Sequence, residues 1–220
     1  GVAGMGHKRG RRGDDDGLLA PEDPMASLPP VAQNILQAAR RLLDRGGFDA
    51  LRLQAIAEEA GEAKGSIAYY FGNKQGLITA LVDCLAHDAN RAVIEVTRDL
   101  PVGEQRLHAL VDAETRIVAD VGSFRAFFEI LPHVLRDDGL RSRVAHLYQG
   151  YRETVLRALE PCGRRGDVSP DPRAMLTIAI VDGLAIQLAL DPDGVDIAPA
   201  TALWERLLLR SSQYAGEDGS

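Results

Sequence analysis

The sequence predicts an all-α protein of about nine helices. Apolar residues recur at the three- and four-residue spacing of a helix over most of residues 31–214. No segment alternates apolar and polar residues as a half-buried strand would, and glycine and proline residues separate the helical patterns. Because 45% of the 220 residues are hydrophobic and 26% are charged, the chain suits one or two folded domains with a sizeable core.

The first helix is expected to begin after Pro29-Pro30. Its apolar residues repeat at helical spacing, and they are Val31, Ile35, Ala38, Ala39, Leu42 and Leu43. Gly46-Gly47 is expected to stop the helix, because glycine favours helix ends. Phe48 follows directly and is expected to fill the small core of a three-helix domain.

Residues 53–77 contain two short helical patterns that flank Gly61. The apolar face of the first pattern consists of Ile56, Ala57 and Ala60. Gly61 can adopt a positive φ and end that helix, and a second helix is expected over residues 64–70. Two helices joined by a short glycine turn form a helix-turn-helix, whose second helix can enter the major groove of DNA.

This stretch resembles the DNA-binding domain of the TetR-type transcriptional regulator family. The residues that carry the resemblance are Ile56-Ala57, Ala60-Gly61, Lys64-Gly65-Ser66-Ile67, Tyr70-Phe71, Asn73-Lys74 and Gly76-Leu77. The resemblance covers about residues 31–80 and implies a DNA-binding domain over residues 30–76. The residues expected to contact operator DNA are Arg52, Lys64, Gly65, Ser66, Tyr69, Tyr70 and Lys74.

Four residues depart from the family's pattern, namely Arg52, Glu62, Ala63 and Ala68. Arg52 stands where the family usually has a Thr or Ser that caps the first helix of the motif. Ala63 replaces a Ser or Thr, so the second helix of the motif lacks a side-chain cap worth about 1 kcal/mol. The cations expected to replace part of the lost phosphate contacts are Arg40, Arg41, Arg45 and Arg52. The departures also keep a second reading open, in which a dimeric small-molecule-binding or partner-binding protein has weakened or lost DNA binding.

A long amphipathic helix is expected to begin at Lys74 and to end near Leu100-Pro101, joining the motif to the rest of the chain. Further helical patterns cover residues 107–121, 124–131, 140–159, 174–190 and 199–214. The pattern over residues 124–131 is expected to halt near Pro132, since proline ends helices. Residues 77–214 are therefore expected to form a second, helical domain for effector binding and dimerisation.

The resemblance also implies an effector pocket in this second domain. Such pockets are apolar cavities with a few polar groups. The candidate lining residues are Leu81, Leu85, Leu110, Glu114, Ile117, Phe124, Phe127, Phe128, Leu147, Tyr148, Tyr151, Ile178 and Asp182. The aromatic and acidic members suggest a mostly apolar effector that carries a donor or positive group; the alternative is that the aromatics fill a dry core.

Residues 181–188 resemble the penultimate helix of one TetR group, in which the last two helices pair with those of a second subunit. The composition of the segment 174–190 also favours pairing with a second subunit. The segment is apolar on nearly all sides, so it must be covered on all sides. Candidate dimer contacts are Ile180, Gly183, Leu184, Gln187, Leu203 and Leu207. The alternative is that this helix forms the centre of a monomer core.

The net charge of −7 is unevenly distributed. Residues 1–30 carry a net charge of −1, residues 31–80 carry +1, and residues 81–220 carry −7. The acidity thus lies outside the predicted DNA-binding domain and argues against non-specific coating of nucleic acid by the larger part.

The two ends of the chain are expected to be disordered, over residues 1–29 and 215–220. The basic cluster at residues 7–12 is either an arm that reaches a DNA groove or a solvated tail neutralised by the acidic residues 14–16. No apolar run reaches about 18 residues and no apolar leader is present, so we expect a cytoplasmic protein without a membrane partner.

Catalytic and metal-binding motifs were not found, which predicts a protein that is not an enzyme and needs no cofactor or metal. Asp83 and His87 share a helical face but lack a third ligand in spacing. Cys84 and Cys162 are far apart and suggest no disulfide framework. The resemblance implies a dimeric, ligand-responsive transcriptional regulator, usually a repressor released from its operator by a small molecule.

Overall fold

The computed structural model describes residues 22–159 and 172–217, with side chains through residue 211. These residues form nine α-helices and one 3-10 turn, Phe48–Ala50, and contain no strand, so the all-α prediction is confirmed. The helices are α1 (Pro30–Gly46), α2 (Leu53–Ala60), α3 (Lys64–Phe71), α4 (Lys74–Thr97), α5 (Glu104–Ala119), α6 (Val121–Val134), α7 (Asp138–Leu159), α8 (Pro172–Leu190) and α9 (Ile197–Glu217).

The ends of the first four helices follow from local residue chemistry. Gly47 and Gly61 take positive φ values of 66° and 68° where α1 and α2 end. Asn73 caps α4, because its side chain accepts a hydrogen bond from the Gly76 amide at 2.9 Å. Arg52 and Ala63 stand at the N-caps of α2 and α3 without a side-chain hydrogen bond, as the sequence predicted.

The helix-turn-helix does not have a core of its own. Ile35, Ile56 and Ile67, from α1, α2 and α3, are fully buried in one cluster with the N-terminal half of α4. Ala126 and Ile130 of α6 belong to the same cluster, together with residues of α7. The DNA-binding motif is therefore packed directly on helices of the predicted second domain.

This shared core changes the expected role of Phe48. The ring is only partly buried and does not fill the centre of a three-helix domain. It stacks on the His133 ring of α6, and the Lys74 ammonium lies 5.0 Å from its centroid. The physical reason is that α6 covers this side of the motif and supplies a second aromatic face.

The predicted element boundaries need three corrections. Residues 22–29 are not a disordered arm, because they form a turn whose Met25 and Leu28 pack on the first core cluster. Helix α6 continues two residues past Pro132, and α9 continues to Glu217 through the start of the predicted tail. Residues 1–21, the loop around Cys162 and residues 218–220 lie outside the described residues.

A second core cluster joins α4, α5, α7, α8 and α9. Its central members, one from each of these helices, are Val93, Leu110, Val155, Val181 and Trp204. Since α4 contributes its first half to one cluster and its second half to the other, it is the common spine of the molecule.

Helix α8 is the one helix in the described part of the chain that is long and apolar enough to cross a membrane, with 19 residues and a mean hydropathy of 1.6. Asp182 and Gln187 interrupt its apolar run. Only 28% of the helix is buried, but Asp182 bonds to α7 and α8 packs against α5, α6 and α7. These contacts place α8 within the helical bundle, with one apolar face uncovered.

Candidate DNA-binding and effector sites

Helix α3 presents a mostly uncovered surface. Tyr69 is 81% exposed, and its ring meets the Tyr70 ring edge-on with centroids 4.8 Å apart. Lys64 and Gly65 at the start of the helix are exposed, whereas Ile67 is fully buried and anchors the helix. Because Tyr69 is exposed on a short helix that Ile67 anchors, its hydroxyl is free to bind a large partner such as a DNA backbone.

The remaining predicted DNA contacts border this face. Ser66 and Tyr70 are half-buried, and Tyr70 also packs on the first core cluster. Arg52 is exposed, and its Nε donates to the Asp49 carbonyl at 3.4 Å. Lys74 is half-buried, and its ammonium lies over the Phe48 ring. A side chain added at Gly65 would meet no atom within 4 Å, so no contact within the protein requires glycine there.

Three arginines that were expected to supplement the DNA contacts are engaged elsewhere. Arg41 and Arg45 both pair with Glu59, at 2.8 and 2.6 Å, and their hydrogen bonds lower the pKa of this carboxyl. Arg40 pairs with Asp88 of α4 at 2.6 Å and lies at the cavity described next. Of the four cations, Arg52 alone is therefore left without a carboxylate partner in the described structure.

A cavity of about 680 Å³ lies between the two core clusters, lined by α4, α5, α6, α7 and α8. This volume suits a small-molecule ligand, since ligand pockets measure about 300–1,000 Å³. Nine of the predicted pocket residues line it, and they are Leu85, Ile117, Phe124, Phe127, Leu147, Tyr148, Tyr151, Ile178 and Asp182.

Four predicted pocket residues do not line the cavity. Leu81 and Leu110 are 1% and 0% exposed within the first and second core clusters. Phe128 packs on the second cluster and contacts the Phe124 and Phe127 rings from behind. Glu114 is fully buried and reaches the cavity wall only through Tyr151. Helical periodicity places each of them on the inner side of its helix, as predicted. Neighbouring helices cover that side, so these residues do not reach the cavity.

A polar seam runs along the inner face of α7. Tyr148 donates to Asp182 of α8 at 3.0 Å, and Tyr151 donates to Glu114 of α5 at 2.9 Å. One helical turn further on, the Thr154 hydroxyl donates to Oδ1 of Asn90 in α4 at 2.8 Å. The seam therefore ties α7 to three other helices, α4, α5 and α8.

Burial dominates the electrostatics of this seam. Desolvation raises the pKa of Glu114 to about 8, because its only partner is the Tyr151 hydroxyl and nearby Asp182 adds a like charge. Desolvation also raises the pKa of Asp182, against the hydrogen bond from Tyr148. The second oxygen of Glu114, Oε1, has no hydrogen-bond partner.

Several polar residues of the cavity wall were not predicted from the sequence. Asn90, whose Oδ1 accepts the Thr154 bond, is a buried polar residue of α4 that lines the cavity. Its position next to Ala89, on the predicted apolar stripe, was the available signal. The other charged or polar lining residues are Arg40, Asp88, Glu95, Arg116, Asp120 and Ser123.

Helices α8 and α9 share an uncovered apolar face. The predicted contacts Leu203 and Leu207 are 51% and 54% exposed, Gln187 is exposed, and Ile180, Gly183 and Leu184 are half-buried. A side chain added at Gly183 would meet no atom within 4 Å. The face also includes residues that the sequence analysis did not name, namely Met175, Leu176, Ile186 and Leu190.

The pair Asp83 and His87 does not form a metal site. Asp83 is bound by Arg143 at 2.7 Å, and His87 is buried with an unpartnered Nδ1. Within residues 22–159 and 172–217, no group of three or more His, Cys, Asp or Glu residues could hold a metal ion.

Two family models match the chain. Residues 35–81 match the model of bacterial regulatory proteins of the tetR family, and residues 103–211 match the model of the BetI-type transcriptional repressor C-terminal region. The first match spans the helix-turn-helix with the start of α4, and the second spans α5 to most of α9.

Curated relatives agree with this assignment. The chain is 29% identical over 180 residues to the probable HTH-type transcriptional regulator ArpR of Pseudomonas putida, covering 77% of this chain and 85% of ArpR. It is 28% identical, with the same coverage, to the HTH-type transcriptional regulator TtgR, also of Pseudomonas putida.

Solved structures share the fold. A putative transcriptional regulator from Pseudomonas aeruginosa PAO1 matches with a TM-score of 0.65 and 22% identity, covering 89% of this chain and 95% of the other. The multidrug binding protein EbrR complexed with malachite green matches with a TM-score of 0.62 and 21% identity, covering 81% and 98%. Because the two family models together span more than two thirds of the residues, the chain belongs to the TetR family of bacterial transcriptional regulators and is not an enzyme.

Proposed function

We propose that this chain is a dimeric repressor that leaves its operator DNA when a small molecule occupies the cavity between α4 and α8. The observation that carries the proposal is the course of α4. Its first turn follows α3 directly, and its second half lines the cavity with Leu85, Ala89 and Asn90. The 17 residues from Lys74 to Asn90 span about 24 Å of one rigid helix, so a shift at the cavity moves the DNA-binding motif.

The two parts of the chain that α4 joins have different functions. Residues 30–76 bind DNA, and residues 77–214 bind the effector and form the dimer. The proposed DNA contacts are Arg52, Lys64, Gly65, Ser66, Tyr69, Tyr70 and Lys74. In a two-fold dimer joined through α8 and α9, the two α3 helices must lie about 34 Å apart to reach successive turns of the major groove. A regulator that acts on DNA in this way works in the cytoplasm.

The mechanism is a shift between two states of the dimer. One state spaces the two α3 helices for the operator, and the other accommodates the effector with a different spacing. The coupling is reciprocal, so operator binding weakens effector binding by the same factor. The predicted lining residues and the aromatic rings of α6 favour an effector with a large apolar surface.

A gel shift with the DNA upstream of the protein's own coding region tests the proposal. Purified protein should retard this DNA and not a scrambled fragment of equal length. Compounds from a thermal-shift screen that raise the melting temperature should release the DNA, because they bind the folded protein preferentially. Stabilising compounds that never release it would contradict the proposed coupling.

A second candidate function is a dimeric binding protein without operator binding. The absent side-chain caps at Arg52 and Ala63 favour it, because they weaken α2 and α3. The outward-facing Tyr69 and Lys64 oppose it, since a protein that no longer binds DNA needs no such side chains there. The same gel shift separates the two functions.

A further inference from the structure

We propose that the cavity takes a hydrophobic protonated amine, an apolar or aromatic body with an N–H-bearing cationic group, and that Asp182 binds this group. The inference deepens the proposed function, on which it rests, by naming the chemical class of the effector. It starts from the four carboxylates that line the cavity, Asp88, Glu95, Asp120 and Asp182.

Three of these carboxylates already have partners of their own. Asp88 pairs with Arg40 at 2.6 Å, and Glu95 pairs with Arg91 at 3.5 Å. Asp120 caps α6, accepting from the amide and the hydroxyl of Ser123. These interactions neutralise or occupy the carboxylates without any ligand.

Asp182 differs from them. Among the described residues it has neither a cationic nor a helix-capping partner, and only the Tyr148 hydroxyl donates to it, at Oδ2. Its other oxygen, Oδ1, is left for a donor from outside the protein. Neither arginine that lines the cavity pairs with Asp182, because Arg40 pairs with Asp88 and Arg116 pairs with Asp112 at 2.9 Å.

A second acidic group, close to Asp182, lies behind the cavity wall. Glu114 is fully buried, and its Oε1 has no hydrogen-bond partner. A buried carboxyl oxygen without a hydrogen-bond donor destabilises the folded protein, and such unsatisfied groups are often found at binding sites. Tyr151 lines the cavity and donates to the other oxygen of Glu114, so Glu114 lies behind the part of the wall that Tyr151 forms and leaves Asp182 as the carboxylate a ligand can reach there.

The surroundings of Asp182 define the rest of the ligand. Its partner Tyr148 faces the Phe127 ring, with centroids 6.2 Å apart, and Phe124 lines the same wall. These rings offer apolar area to a ligand body of similar character. A protonated amine can both neutralise Asp182 and donate an N–H to its free Oδ1, whereas a quaternary ammonium can only neutralise it, so the site favours the amine.

The test is calorimetric titration of the full chain at pH 7 with three matched probes. They are 2-(2-naphthyl)ethylamine, its N,N,N-trimethylammonium analogue and 2-(2-naphthyl)ethanol. We expect the amine to bind at least about tenfold more tightly than the alcohol and more tightly than the quaternary ion. Equal affinity of amine and alcohol would overturn the proposal, and equal affinity of amine and quaternary ion would overturn the requirement for an N–H donor.

Variants assign the effect to one carboxylate. Asp182→Asn keeps the shape and an acceptor for Tyr148, and it should remove the preference for the amine over the alcohol. Glu153→Gln is the control, because this carboxylate of α7 pairs with Arg157 at 3.9 Å and does not line the cavity, and it should leave the preference intact. The proposal is wrong if both variants behave alike. Circular dichroism checks that each variant is folded.

Tyr148→Phe keeps the inference testable if Asp182→Asn does not fold. Removing the hydroxyl leaves both oxygens of Asp182 free, so the preference for the amine should be kept or increased. A reduced preference contradicts the proposal. Operator release is measured separately by gel shift. An amine that binds without releasing DNA supports this inference and contradicts the proposed function. Release of DNA by neutral aromatics alone contradicts this inference and supports the proposed function.

Discussion

The Phe48 ring stacks on the His133 ring with centroids 3.5 Å apart and ring planes 15° apart. Phe48 follows α1 of the DNA-binding motif, and His133 lies in the last turn of α6, whose first half brings Phe124 and Phe127 to the cavity. Glu129, one turn earlier in α6, accepts a hydrogen bond from the Phe48 amide at 3.4 Å. Helix α6 thus touches the cavity at one end and the DNA-binding motif at the other.

The first prediction follows from this stack. His133→Ala should leave effector binding unchanged and reduce the effector's influence on DNA affinity, because the contact that joins α6 to the motif is lost. An aromatic pair is worth about 0.5–1.5 kcal/mol, so the coupling factor should fall roughly 2- to 13-fold. It is measured as the ratio of operator affinities with and without effector. His146→Ala, an exposed histidine of α7, is the control and should keep the full ratio.

The second prediction separates DNA contact from fold at α3. Gly65 and Gly150 both lie in helices, and a side chain added at either meets no atom within 4 Å. Alanine at each position should raise the free energy of unfolding by up to about 1 kcal/mol. Only Gly65→Ala should also weaken operator binding, because the added methyl group keeps the DNA backbone away. Unchanged operator affinity in Gly65→Ala would move the DNA-binding face elsewhere.

The third prediction concerns the uncovered face of α8 and α9. Gly183→Glu places a charge in the proposed apolar contact between subunits, which is costly without a partner. Sedimentation velocity should then show monomers or aggregates. Gly150→Glu puts the same charge on an exposed position of α7 and should leave the dimer intact. A dimeric Gly183→Glu variant would place the interface on another surface.

The fourth prediction concerns the pH dependence of stability. The pKa of Glu114 is about 8 in the folded protein and 4.5 in the unfolded chain. Between these values the folded state holds a proton that the unfolded state releases, so stability falls as pH rises from about 4.5 to about 8. The loss is on the order of a few kcal/mol, and it is already complete above pH 8.

Thermal melts across this pH range measure the effect. Glu114→Gln carries no titrating proton and should flatten the decline in melting temperature. Glu95→Gln, on an exposed carboxylate of the same cavity, should leave it unchanged. A decline of equal size in Glu114→Gln would assign the pH dependence to other groups.

Much of the local structure could be predicted from sequence because it depends on neighbouring residues. Periodic apolar residues identified the helices, and Gly47 and Gly61 stand where positive φ values end α1 and α2. The missing caps at Arg52 and Ala63 were predictable for the same reason, since a cap is a contact between residues two or three apart. The aromatic rings of α6 and α7 were assigned to one pocket, because helical phase shows which side of a helix faces inward.

Helical phase does not show which helix covers that side, and only the tertiary structure decided this. Leu81 and Leu110 face inward as predicted, yet each is buried in a core cluster instead of lining the cavity. Arg40, expected to help bind DNA, is drawn to Asp88, 48 residues away in the sequence. Glu114 is sealed behind Tyr151, and Asp182 alone of the lining carboxylates lacks a cation or cap among the described residues. The sequence by itself determined the helices, the glycine ends of α1 and α2, and the family, since these depend on local chemistry. Pairing and burial depend on contacts between distant residues that only packing brings together.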